Sequence, residues 1–170
     1  GRGRRSGPAP SIGTGGSGNI VVTDTESFAP EAGSMKILVF NPSPTNLVRL
    51  KQYEAMYERY RIVFVNVKFV PATATTDSGS VTFGVMPGAS NAAVKAANDI
   101  LKMRPSRCVA VWQGAAISLG SQIDSQRYMH CGDETEGGVA FCLYYWFGGD
   151  KATGHFQVSY KVEFSFPKVF

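Results

Sequence analysis

The chain has little of what an enzyme active site or a membrane span requires. Only two of its 170 residues are histidines, and no serine lies in a G-x-S-x-G elbow. His130 adjoins Cys131, but neighbouring residues of a strand point to opposite faces, so they form no nucleophile–base pair. No run of eighteen apolar residues occurs either. The sequence therefore predicts neither an enzyme nor a membrane span.

Cysteine is also scarce. The three cysteines, Cys108, Cys131 and Cys142, are an odd number and form no C-x-x-C pair. This pattern favours a reducing compartment and buried free thiols over a disulfide framework or a zinc site. The N-terminus lacks the apolar core of a signal peptide, which fits the same expectation.

Acidic residues are missing from the start of the chain, where the first one is Asp24. The first eighteen residues hold seven of the 19 glycines together with Arg2, Arg4 and Arg5. Such a segment cannot bury a core, so we predict a flexible arm over 1–18 and a folded domain over 19–170. The arm is either a solvated tail or, as we favour, a cationic segment that neutralises phosphates.

The body of the chain has the composition of a single all-β domain. Hydrophobic residues make up 44%, aromatic residues 12% and charged residues only 18%. Alternation of apolar and polar residues is cleanest in the last predicted strand, and in strand 61–70 it places Val63, Val65, Val67 and Phe69 on one face. The predicted strands are 34–40, 61–70, 80–86, 107–113, 115–119, 126–131, 139–147 and 155–166.

Two helical segments interrupt the strands. Apolar residues at three- and four-residue spacing predict an amphipathic helix over 47–60. A short helix is predicted to follow a cap at Ser90 or Asn91 and to include Ala93, Ala97 and Ile100. About eight strands with helices only in the connections predict an eight-stranded antiparallel jelly-roll sandwich.

Five segments recur, in order, in one group of proteins. They are Y-x-x-Y-R-I at 57–62, Phe69-Val70-Pro71, Thr75-Thr76-x-x-Gly79, Val109-x-Val111-Trp112-x-Gly114, and the alternating segment from Gly154 to Phe164. Together they resemble the shell domain of coat proteins from small icosahedral RNA viruses of the sobemo-, tombus- and noda-like groups. The resemblance covers roughly residues 34–166.

The resemblance implies a capsid protein that self-assembles into an icosahedral shell, such as the coat of a satellite virus or another small particle. It implies viral single-stranded RNA as a partner, with location in the virion and in the host cytoplasm during assembly. A cellular jelly-roll binding module, lectin-like or specific for a protein partner, is the alternative.

Candidate RNA-binding residues are cationic, because phosphate neutralisation depends on charge and not on base sequence. The arm supplies the first candidates and the body supplies the second, although Glu54 and Glu58 also fit a solvated helix with internal ion pairs. The candidates are Arg2, Arg4, Arg5, Lys36, Arg49, Lys51, Arg59 and Arg61.

Calcium is a weaker expectation. Relatives with calcium sites often have aspartates just after the strand that here reads 81–87, and this chain has none there. Calcium prefers oxygen ligands, which an acidic loop can supply, although such a turn is more commonly just solvated. The candidate ligands are Asp124, Asp133, Glu134 and Glu136.

Large aromatic residues near the end of the chain have two interpretations as well. Trp112, Tyr144, Tyr145 and Trp146 either fill the core or a subunit contact, which we favour, or form a platform for stacking RNA bases.

Overall fold

The computed structural model describes residues 11–15, 19–31, 35–41, 47–76, 78–91, 93–119, 126–148 and 153–168. Two antiparallel β-sheets and two short helices make up this part of the chain. Neither of these helices is long or apolar enough to cross a membrane.

The strands of the fold are numbered in chain order. They are β1 Ser11–Gly15, β2 Asn19–Phe28, β3 Lys36–Phe40, β4 Tyr57–Val70, β5 Ser80–Pro87, β6 Ser106–Ala110, β7 Ala115–Ser118, β8 Met129–His130, β9 Phe141–Gly148 and β10 His155–Pro167. The helices are α1 Val48–Glu54 and α2 Ala97–Leu101. The six-stranded sheet has the order β1-β2-β10-β4-β7, with β8 also paired to β4, and the four-stranded sheet has the order β3-β9-β5-β6.

The strand pairs are nested, which defines the topology. In antiparallel fashion β2 pairs with β10, β3 with β9, β4 with β7 and β5 with β6. The chain is thus one long hairpin wrapped around a core, with successive pairs in alternate sheets. This arrangement confirms the predicted all-β jelly roll.

Strand β10 contributes the centre of the core. Its inward residues Phe156, Val158, Tyr160, Val162 and Phe164 are all at most 1% exposed. The Phe156 ring contacts aromatic rings from both sheets: Phe28, Phe69, Phe83, Tyr145 and Phe147. The alternation predicted for the last strand is confirmed from Phe156 to Phe164, but it is wrong at Phe166, which has a positive φ of 58° and is 54% exposed.

Strand β4 departs from the predicted alternation at one residue. Its register against β10 shifts between the pairs Lys161↔Phe64 and Val162↔Ile62, so Val63 is an extra residue at a β-bulge. Ile62 is therefore buried, whereas Val63 is 42% exposed. The prediction that Val63 shares a face with Val65 is wrong for this reason.

The predicted helix over 47–60 is too long. Helix α1 ends at Glu54 and strand β4 begins at Tyr57. Tyr60, expected on the helix stripe, pairs with Phe164, and its hydroxyl accepts a hydrogen bond from the Ala140 N–H at 3.1 Å. Tertiary pairing overrides the helical spacing of the tyrosines.

The second helix begins later than predicted. Helix α2 starts at Ala97, so neither Ser90 nor Asn91 caps it; instead the Asn91 side chain accepts a hydrogen bond from the Ala93 N–H. The Asp99 carboxylate accepts hydrogen bonds from the N–H groups of Lys95 and Ala96 just before the helix. Burial of the Ile100 side chain anchors this short element.

Part of the predicted arm forms a strand. Strand β1 pairs with β2 from Ser11↔Thr23 to Gly15↔Asn19, and the division into a flexible arm over 1–18 and a folded domain over 19–170 stays a prediction. Strand β2 was missed altogether, because its polar residues hide the alternation that buries Val22 and Phe28.

A buried carboxylate connects three parts of the fold. Glu26 of β2 is 6% exposed and accepts hydrogen bonds from the backbone N–H groups of Arg49 (2.7 Å) and Leu50 (3.1 Å). It also accepts one from the Tyr160 hydroxyl at 2.7 Å. Leu47 occupies the N-cap position of α1 and has no capping side chain. Glu26 therefore caps helix α1 from a distant strand and attaches it to the six-stranded sheet.

We predict that Glu26→Gln lowers the free energy of unfolding by about 1–3 kcal/mol, because buried donors lose their charged acceptor. Urea denaturation of the dissociated subunit measures this change. Glu58→Gln is the control, since Glu58 is exposed. Equal unfolding free energies for the two variants would contradict the role of Glu26 as a cap.

Candidate functional site

The outward face of the six-stranded sheet carries a group of cations. Paired residues of adjacent strands lie on the same face, and the register pairs Arg59 with Ser165, Arg61 with Glu163, Phe64 with Lys161, and Lys68 with Gln157. These residues of β10 alternate with the buried core residues and so point outward. We call Arg59, Arg61, Lys68 and Lys161 the cationic face.

The cations of this face differ in how they are neutralised. Lys68 and Lys161 are exposed, and neither makes an ion pair or side-chain hydrogen bond in the described part of the chain. Arg59 lies over the Phe166 ring at 4.7 Å, which leaves its charge unneutralised. Arg61 forms an ion pair with Glu163. The face thus presents three unneutralised positive charges.

Glu163 is the centre of a buried polar network beneath that face. It is 8% exposed and accepts hydrogen bonds from Arg61, from the Tyr128 hydroxyl (2.9 Å) and from the Asn19 amide (3.1 Å). Burial tends to raise the pKa of Glu163, but the hydrogen bonds from Tyr128 and Arg61 outweigh it and leave the pKa below its ordinary value. The network therefore ties β2, β4, β10 and the segment before β8 together.

The other predicted cations of the body lie elsewhere. Lys36 pairs with Glu31 at 3.3 Å. Arg49 pairs with Asp24 at 3.2 Å and donates a hydrogen bond to the Thr25 carbonyl. Lys51 is exposed on α1 and has no acidic partner among the described residues. The structure thus brings together Arg59 and Arg61 of the predicted set, while the arm residues Arg2, Arg4 and Arg5 lie outside the described residues.

Sequence reasoning missed two members of the cationic face, Lys68 and Lys161. Both occupy polar positions in strands whose alternation was recognised. The signal was therefore present: two alternating strands each place a lysine on the face opposite the core. What was missing was the pairing of β4 with β10, which puts those faces side by side.

Of the predicted calcium ligands, Asp133, Glu134 and Glu136 lie in the part of the chain that the structure describes. The described residues contain no group of three or more side chains that could hold a metal ion. Asp133 accepts hydrogen bonds from the N–H and hydroxyl of Thr135, and Glu136 accepts one from the Ala89 N–H. Asp124 lies outside the described residues, so calcium binding through it stays a prediction.

The thiols are poor nucleophiles. Burial raises the pKa of Cys131 to about 12 and that of Cys142 to about 11, so both stay protonated near neutral pH. All three cysteines are free, but Cys108 is exposed, which differs from the buried thiols expected.

Two of the aromatic residues have the core role that was favoured. Tyr144 and Tyr145 are buried, and the Tyr145 ring contacts Phe28 and Phe156. Trp146 packs partly buried against the outer side of the four-stranded sheet. Trp112, in contrast, is 42% exposed.

Solved structures with a similar fold define the class of protein. The chain superposes on melon necrotic spot virus with a TM-score of 0.78 and 18% identity, covering 97% of this chain and 54% of that one. For cocksfoot mottle virus the TM-score is 0.74 with 12% identity, covering 98% and 97%. For the virus-like particle of the prawn Macrobrachium rosenbergii nodavirus it is 0.71 with 15% identity, covering 97% and 98%. The fold is that of viral jelly-roll capsid proteins.

The family follows from the sequence itself. The luteovirus coat protein family model matches residues 25–167, so the chain belongs to the luteovirus coat protein family. No curated protein matches the chain significantly. The protein is a capsid protein of a small icosahedral RNA virus, a structural and non-enzymatic protein, which confirms the resemblance drawn from the motifs.

The lowered pKa of Glu163 predicts acid sensitivity. The folded state holds this carboxylate deprotonated more strongly than the unfolded chain does, so its contribution to stability is complete above the ordinary pKa, about 4.3. It is lost as the pH falls through the lower folded-state pKa. Glu163→Gln should lower the unfolding free energy at pH 7 by about 1–3 kcal/mol and flatten its decline between about pH 5 and pH 3.

Urea denaturation of the subunit across this pH range measures both effects. Glu134→Gln is the matched control, because Glu134 is exposed and its side chain makes no hydrogen bond or ion pair among the described residues. A Glu163→Gln curve parallel to that of the wild type would contradict the assignment.

Proposed function

We propose that copies of this chain assemble into a closed shell and package viral single-stranded RNA against the cationic face, assisted by the N-terminal arm. The observation that supports this most is the unneutralised charge of Arg59, Lys68 and Lys161 on one sheet surface. Phosphate neutralisation by such cations releases counterions and is indifferent to base sequence, which suits a protein that packages a whole genome.

The route of the chain supports a shared role for the arm and the face. Residues 1–10 lead directly into β1, which pairs with β2, and β2 pairs with β10, the strand that bears Lys161. The segment that contains Arg2, Arg4 and Arg5 is thus connected through the chain to the sheet that carries the cationic face. A positively charged surface and a tethered cationic segment raise the local concentration of RNA together.

The cations differ in how available they are to phosphate. Lys36, Arg49 and Arg61 already have carboxylate partners, and RNA would have to compete with those carboxylates. Lys51 and Arg59 have no acidic partner among the described residues. We rank them with Lys68, Lys161 and the arm residues Arg2, Arg4 and Arg5 as the principal phosphate contacts.

Shell formation requires subunits to bury apolar surface against one another at symmetric contacts. The β-bulge exposes adjacent apolar side chains, Val63 and Phe64, at 42% and 47%. Trp112 and Phe166 add exposed aromatic surface. These residues are available for contacts between copies, in the virion and during assembly in the host cytoplasm.

Removing phosphate contacts should reduce the salt dependence of RNA binding. For single strands, each lost contact lowers the slope of log K against log salt by about 0.7. The triple variant Arg2→Ala/Arg4→Ala/Arg5→Ala should therefore lose about 2 units of slope, and Lys161→Ala should lose about 0.7. Fluorescence anisotropy with a labelled oligoribonucleotide, titrated at several salt concentrations, measures these slopes.

Lys95→Ala is the control for Lys161→Ala, since Lys95 is also an exposed lysine but lies in the segment before α2. Its slope should match that of the wild type. Equal slopes for Lys95→Ala and Lys161→Ala would overturn the role of the cationic face, and an unchanged slope in the triple variant would overturn that of the arm.

A further inference from the structure

A groove lies at one side of the sandwich, between the last strands of the two sheets. Within the described residues, β6 has β5 as its only sheet partner and β7 has β4. The cavity between them has a volume of about 520 Å³ and is lined by Leu101, by residues 103–107 and by residues 116–118. Strand edges of this kind expose backbone groups that can pair with another chain.

Two unneutralised arginines stand at the groove. Arg104 and Arg107 are both exposed and line the cavity. Neither makes an ion pair or side-chain hydrogen bond in the described part of the chain. The groove also has an apolar rim, since Leu101 is 47% exposed. Because of the two arginines, we expect a partner that fits this groove to be acidic.

The same chain presents an acidic surface of complementary charge. The segment 133–138 contains Asp133, Glu134 and Glu136 and no basic residue. The Asp133 carboxylate accepts a hydrogen bond from the Thr135 N–H within the turn, and the Glu136 carboxylate accepts one from the Ala89 N–H at 3.2 Å. Glu134 is left exposed and without a partner among the described residues. The turn is thus a preorganised acidic projection.

Within one chain the two surfaces lie on different parts of the sandwich. The acidic turn is held at the β3 side, where the Gly132 N–H donates to the Asn41 carbonyl at 2.9 Å. The groove lies at β6, the opposite edge of the four-stranded sheet. Complementary patches at different places on one subunit make heterologous contacts, and such contacts close rings of identical copies.

We infer that the groove between β6 and β7 receives the acidic turn 133–138 of a neighbouring copy. Arg104 and Arg107 pair with the carboxylates of that turn, Glu134 above all. This inference rests on the proposed shell assembly and names one of the contacts that build the shell. RNA is the less suitable occupant, because the groove lies at the edge of the sandwich and not on the cationic face.

Charge reversal with rescue tests the contact. Arg104→Glu/Arg107→Glu places like charges across the interface, and so does Glu134→Lys/Glu136→Lys. Each should weaken the contact at least about tenfold, which corresponds to about 1.4 kcal/mol, and should thereby lower the yield of shells. A chain with all four substitutions restores opposite charges and should assemble better than either double variant, but below the wild-type yield, because Glu136→Lys removes the carboxylate that holds the turn to the Ala89 N–H. Light scattering and negative-stain microscopy give the yield, and circular dichroism of each variant checks the fold.

Single substitutions supply matched controls. Arg107→Glu should impair assembly, whereas Lys95→Glu, an equal charge reversal at another exposed site, should not. Glu134→Lys is the single test on the turn, because its side chain makes no contact within the described chain.

The outcomes separate the inference from the proposed function. The contact is overturned if the two double variants assemble like the wild type. It is also overturned if the variant with all four substitutions assembles no better than the double variants while the wild type still forms shells. Normal shells of Arg104→Glu/Arg107→Glu with less RNA per particle overturn it in favour of phosphate binding. A wild-type chain that stays monomeric in all conditions overturns the proposed function and the contact with it.

Discussion

The structure depends on the position of strand β10 between β2 and β4. Two partners fix its register along nearly its whole length, from Phe156↔Phe28 to Phe164↔Ile20 on one side and from His155↔Val70 to Pro167↔Tyr57 on the other. Because strand side chains alternate, this pairing determines which residues of β10 enter the core and which lie on the outer surface. Phe156 and Tyr160 must point inward, and Lys161 and Glu163 must point outward.

The charged residues divide into those that hold the fold and those that remain free to bind. Glu26 caps helix α1, and Glu163 joins Arg61, Tyr128 and Asn19. Burial increases what these carboxylates contribute to the stability of the fold, because a buried hydrogen-bond donor that loses its acceptor destabilises the folded state. The exposed cations Lys68 and Lys161 have no such role within the subunit. The same sheet therefore combines internal stability with an outer surface suited to phosphates.

Much of the fold could be predicted from the sequence because its signals are local. Period-two alternation found β10, and turn residues placed β5 and β9 close to their observed bounds. These signals failed where contacts with residues distant in the sequence determine the local structure. The bulge at Val63 arises from the register of β4 against β10, and residues 57–60 form a strand because they pair with β10 in the sheet. Residues 11–15 form a strand because they pair with β2. The cap of α1 comes from Glu26, which no spacing near the helix could indicate.

The cationic face was predictable only in part for the same reason. Arg59 and Arg61 were selected from a motif, but Lys68 and Lys161 join them only through the β4–β10 pairing. Arg49 and Lys36 were selected for their charge, and the structure shows them paired with acids that are distant in sequence or in another element. Charge alone does not show which cations are neutralised.

We propose that the six-stranded sheet of this capsid protein faces packaged RNA. Cryo-electron microscopy of particles assembled from the purified chain with RNA is the decisive experiment. We expect closed shells in which β2, β10, β4 and β7 form the inner layer, with RNA density against Lys68 and Lys161. Shells with that sheet on the outside, or RNA density confined to another surface, would contradict it.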